Sequence, residues 1–117
     1  MTPYEMRQQA YRYRNEANVL EESAQILRSV AGSIRGLLSG IAGISRMVWQ
    51  GPAASQFEEE AEVQSSNLDH QADEVAGEAA GFDSKAAGLR SSANWLLYEA
   101  ARIEAEQAAA ALPPNVN

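Results

Sequence analysis

The sequence predicts an all-α protein, an antiparallel hairpin of two long helices. Three observations carry that prediction. An apolar residue recurs every seven positions up to residue 48, with a second, mostly alanine row four residues behind it. The same double row returns from residue 61 onward. Between the two segments, Trp49, Gly51 and Pro52 fall within four residues and interrupt the pattern. Alternation at period two, the mark of a half-buried strand, is absent throughout.

The first helix has a legible start. Thr2, Pro3 and Glu5 read T-P-x-E, in which Thr2 can cap, Pro3 suits the first helical position and Glu5 can close a capping box. The large row then runs Met6, Tyr13, Leu20, Leu27, Ile34, Ile41, Val48. The row four residues behind it is Ala10, Ala17, Ala24, Ala31, Leu38, Ser45. Spacing of four then three is a heptad seam. The predicted span is about residues 3–48, roughly 70 Å at about 1.5 Å per residue. Gly32, Gly36, Gly40 and Gly43 crowd its last part. They read either as glycines tolerated in a packed helix or, for the three at spacing four, as a face of close backbone approach.

The break has a chemistry of its own. Gly51 can adopt the angles that end one helix or cap the next, and Pro52 cannot continue a helix but fits the first turn of a new one. A turn over about 49–52 folds the chain back antiparallel. The second helix then covers about 53–111, with Ser55-x-x-Glu58 as a rival start. Its large row is Ala61, Leu68, Val75, Phe82, Leu89, Leu96, Ile103 and its small row Ser65, Ala72, Ala79, Ala86, Ala93, Ala100. A large row beside an alanine row lets two helices approach closely. Pro113 and Pro114 end the helix, so residues 1–112 read as one hairpin domain and 113–117 as a short flexible tail. The row Val30, Leu37, Ile44 flanks the seam and is the candidate dimer face, which a second hairpin would cover.

Composition narrows the function. There is no Cys, hence no thiol nucleophile, disulfide or zinc–cysteine site, and His70 is the single His. A di-iron bundle needs Glu three residues before such a His, and Asn67 stands there. Phosphate loops and nucleophile elbows are absent, so no catalytic residue, cofactor or metal site is expected, and the protein reads as a non-enzyme. The net charge of −7 argues against nucleic-acid binding. Residues 1–51 carry six Arg and four Glu, while 52–117 carry three basic and twelve acidic residues. Nine of those acids lie between Glu58 and Asp83 with no Lys or Arg among them. They read as a solvated face partly paired with Arg28 and Arg35, or as selectivity for a partner with a basic face. The opening residues lack the apolar core and small-residue cleavage site of a signal peptide, and no stretch reaches a membrane span, so stable membrane insertion is not expected.

Trp49, Gly51, Ala53 and Phe57 read W-x-G-x-A-x-x-x-F between two heptad segments. This closely resembles the WXG family, the early-secreted-antigen-like proteins of type VII secretion, over nearly the whole chain. With Pro52, these residues form the turn motif. The resemblance implies an elongated four-helix bundle, formed as a homodimer or as a heterodimer with a second WXG protein. It implies export of the folded dimer, without a cleavable signal, by the membrane ATPase of a type VII system in a Gram-positive, often actinobacterial, cell. Members act as secreted effectors or escorts. The alternative is a cytoplasmic chaperone-like or targeting partner of a larger type VII toxin. The family's export signal is Tyr-x-x-x-Asp/Glu beyond the second helix. Here Tyr98 is followed by Arg102, of the wrong charge, whereas Trp95 and Glu99 have the spacing with a different aromatic. Trp95, Tyr98 and Glu99 are therefore the candidate signal in this chain, and the other source is a partner chain.

Overall fold

In a computed structural model the chain forms two α-helices, α1 (Pro3–Val48) and α2 (Pro52–Ala110), arranged as a helical hairpin. The structure describes the backbone of residues 1–48 and 52–112, and the side chains of 1–40 and 55–112. No strand occurs among the described residues. Pro52 opens α2 at the position where its missing N–H costs nothing, so the rival start at Ser55 lies inside the helix.

Both outer ends follow their local chemistry. The Glu5 backbone N–H donates to Thr2 Oγ1 at 3.2 Å, and the Met6 N–H to the Thr2 carbonyl at 2.9 Å. The Thr2 hydroxyl also donates to the Glu5 carboxylate at 3.2 Å. The box is thus closed by the hydroxyl, with Glu5 as acceptor near the positive end of the helix. At the far end, Ala111 N–H still reaches Gln107 O at 3.0 Å, while Leu112 N–H reaches only three residues back, to Ala109 O at 3.3 Å. That tightening is how helices commonly finish.

The chain divides into two compact units. The first holds residues 1–21 and 83–117, and the second holds 22–82. In the first, the buried residues are Ala10, Ala17, Ala86, Ala93 and Ala100, fully inaccessible, with Leu96 at 8% exposure. Met6, Tyr13 and Leu97 pack half-buried against Ala10, Ala93 and Leu96. In the second, Ala24, Ala31, Ala72 and Ala79 are buried, with Leu27, Ile34, Leu68 and Val75 half-buried beside them. So the alanine row is the floor of the seam and the large row its wall. No large side chain is fully buried among the described residues.

The glycines behave differently. A Cβ added at Gly32, Gly36 or Gly40 would meet nothing within 4 Å. Close backbone approach is therefore not their role within the hairpin, because these positions lie on the side of α1 turned away from the alanine floor. Gly77, Gly81 and Gly88 on α2 are equally open.

Adding carbon should consequently have opposite effects at two nearby positions. Ala93→Leu forces side-chain bulk into a filled seam and should cost about 1–3 kcal/mol. Gly88→Ala adds a methyl in open space on a helix and should stabilise by about 0.5–1 kcal/mol. Urea unfolding of both variants checks this; a loss at Gly88→Ala would show that its face is covered.

Candidate functional site

The heptad register gives each side of the seam its own chemistry. Residues that directly follow either row lie on one side of both helices. Those that directly precede either row lie on the other.

In the first unit the former side is joined by polar bridges. Arg7 pairs with Glu104, its second nitrogen at 2.7 Å from Oε2. Arg90 donates twice to Glu21, at 2.9 and 2.8 Å, and once to Asn18 Oδ1 at 2.7 Å. Arg14 reaches Asn94 Oδ1 at 3.3 Å. Advancing fourteen residues from Arg7 to Glu21 retreats fourteen from Glu104 to Arg90, so these forked pairs fix the antiparallel register without a slip. In the second unit, Arg35 bonds Asp73 at 2.7 Å on the corresponding side. This is one of the pairings expected for the acidic run of α2.

Electrostatics follow from these contacts. The Arg90 hydrogen bonds hold the Glu21 carboxyl below the usual glutamate range, and Arg7 does the same for Glu104; partial desolvation opposes both. The guanidinium groups of Arg7 and Arg90 are raised in turn by the same bonds.

The candidate export residues lie near the end of α2. Trp95 and Tyr98 are 60% and 67% exposed. Glu99 is half-buried and engaged: Arg102 Nη2 donates to its Oε2 at 2.8 Å and Arg102 Nε to the same carboxylate at 3.2 Å. Arg102 also reaches Glu106 at 2.5 Å. The Arg102 bonds hold Glu99 below its ordinary range and raise Arg102. The expected aromatic–acid pair thus has an exposed aromatic, Trp95, but its carboxylate, Glu99, is engaged by Arg102. In the sequence Arg102 has the wrong charge for the signal, and a cation three residues after Glu99 is also the mark of this clamp.

Trp49 and Gly51 lie outside the described residues. Pro52 and Ala53 form the first turn of α2, and their side chains are likewise outside the described set, as is that of Ile44. Phe57 is 37% exposed and lines an open groove with Ala61 and Val63. Val30 and Leu37 are 44% and 63% exposed, on the side of the seam opposite the Arg35–Asp73 bridge. His70, exposed, sits 3.1 Å from Glu74 on the same helix. Among the described residues, no group of three or more His, Asp and Glu side chains is disposed to hold a metal, and no helix is long and apolar enough to cross a membrane. The chain matches no family model, no curated protein and no solved structure.

The forked pairs set an acid dependence. Their carboxylates titrate lower when folded, so the stabilisation is complete above the ordinary Glu value of about 4.3 and fades as pH falls through the lower folded values. Glu21→Gln should therefore melt below wild type at pH 6, with the gap narrowing towards pH 3. Thermal melts of both proteins across that range check it; a gap independent of pH would remove the ion pair as its cause.

Proposed function

We propose that this chain is a small non-enzymatic helical-hairpin protein of the WXG kind, which pairs with a second hairpin and is exported folded by a type VII secretion ATPase. The single observation that carries the reading is the position of the motif. α1 ends at Val48 and α2 begins at Pro52, so in the sequence the W-x-G residues fall between two helices that are lined by alanine rows. The exposed row at Val30 and Leu37 supports pairing, since a lone hairpin leaves it in water. Secretion from a Gram-positive cytoplasm and a role as effector or escort belong to the same reading.

The state of Glu99 favours a partner as bearer of the export signal. Its carboxylate is engaged by Arg102, while Tyr98 has an arginine one turn on. That lends weight to the escort reading, in which this chain travels with, or targets, another type VII substrate.

Expression of the tagged chain with its genomic neighbour, in a bacterium carrying a type VII system, tests both parts. Tagged chain should reach the medium intact and should be retained when the ATPase is deleted. Export that persists without the ATPase would refute the proposal. Trp95→Ala and Tyr98→Ala should leave export unchanged while the pair still forms. Abolished export with intact pairing would return the signal to this chain.

A further inference from the structure

The second unit segregates charge and apolar surface in a way that defines a partner. Between residues 22 and 82 stand nine carboxylates against three arginines, net −6; the remainder of the chain has seven against six, net −1. The excess is thus concentrated in one unit. The same unit carries the exposed apolar strip of α1. Ile26, Val30, Ser33 and Leu37 follow one another at steps of four, three and four, a second seam-like row beside the buried one. Ile26 and Leu37 are 64% and 63% exposed, and the strip lines an open groove of about 660 Å³.

The matching side of α2 repeats the spacing with polar residues: Glu60, Gln64, Asn67, Gln71, Glu74, Glu78, all exposed. Glu78 directly precedes buried Ala79, as Val30 directly precedes buried Ala31, which places both on one side of the antiparallel seam. Glu74 has His70 at 3.1 Å on its own helix. On this side α1 contributes no Lys or Arg between residues 22 and 40; Arg28 and Arg35 directly follow the large row and belong to the other side. The face therefore pairs an apolar strip with an acidic margin.

A second copy of the chain fits that face poorly. Through the same face it would bring another apolar strip, with a margin whose charged side chains are again Glu60, Glu74 and Glu78 and which holds no Lys or Arg. Like charges brought together at an interface oppose association, whereas a complementary margin speeds and selects it. We infer that the α1 strip at Ile26, Val30 and Leu37, with the α2 margin at Glu60, Glu74 and Glu78, docks an amphipathic helix of a different chain whose apolar row is flanked by Lys or Arg. This rests on the pairing proposed above and names the chemistry of the partner.

Three synthetic helical peptides test it against the full chain: one with a four–three Leu/Ile row flanked by Lys and Arg, one with the same row flanked by Glu, and one with the basic composition but a scrambled row. Fluorescence anisotropy at 50 mM salt should show the first binding at least tenfold more tightly than either other. Raising salt to 500 mM should weaken it several-fold, because the margin is exposed to solvent. Val30→Ser with Leu37→Ser should reduce binding tenfold, and Glu74→Lys with Glu78→Lys should shift preference to the Glu-flanked peptide. Equal binding of the basic and Glu-flanked peptides, or equal binding of the scrambled one, would overturn the inference without variants that might misfold. So would a stable homodimer of the chain, by sedimentation at 10 μM, that Val30→Ser with Leu37→Ser dissolves. None of these readouts depends on export, so loss of the secretion reading and loss of this one are separately visible.

Discussion

The distance between two helices is set by the side chains at their contact, and here those side chains are alanines. Every other feature depends on that. With Ala10, Ala17, Ala24 and Ala31 on α1, and Ala72, Ala79, Ala86, Ala93 and Ala100 on α2, the seam is floored by methyl groups with no exposure beyond 2%. Larger residues can then lie only along the edges, so Met6, Tyr13, Leu89 and Leu96 act as walls. A close approach also brings the flanking positions within reach of one another. The forked pairs Arg7–Glu104 and Arg90–Glu21 span the seam only because the floor is shallow. Exposed ion pairs add little to stability, commonly below about 1 kcal/mol, but a shifted register would break several together. Their contribution is specificity of alignment, while burial supplies the attraction.

This division of labour explains why the two sides of the seam differ. One side is occupied by bridges, of which Arg35–Asp73 is the second unit's example. The opposite side carries Val30 and Leu37 on α1 and Glu78 on α2. In the second unit, α1 brings no Lys or Arg between residues 22 and 40 to this side to meet the carboxylates of α2. Bridges thus align the helices of the first unit on one flank, and in the second unit the flank opposite Arg35–Asp73 is the one on which the proposed recognition rests.

Much of the fold was legible because period seven is a strong signal when it persists. Each residue of the small rows that is alanine and lies among the described side chains is buried, and the large rows flank it. The Thr2 cap and the Pro52 start were legible for local reasons, namely one hydroxyl and one missing N–H. The glycine face was not. Spacing of four in Gly32, Gly36 and Gly40 says only that they share a side, and the sequence does not say whether a neighbour lies there; in the hairpin none does. The candidate signal was half legible. Exposure of Trp95 and Tyr98 followed from their places outside the seam, but engagement of Glu99 depended on the rotamer of Arg102, which has Glu106 as a second acceptor.

The alanine floor has one more consequence, in the unfolded chain. Alanine has no rotamers to lose, so laying down the centre of this seam freezes backbone but almost no side-chain freedom. A leucine or methionine in the same place would surrender about 0.5–2 kcal/mol of rotamer entropy on burial. The modest area buried is therefore gained against a reduced entropic opposition. The branched side chains left exposed at the rim of the second unit, Ile26, Val30 and Leu37, have no such burial to order them until something is brought against them. Ordering in this molecule is concentrated at the centre, and the entropy still to be given up is held at its edges, where a partner would meet it.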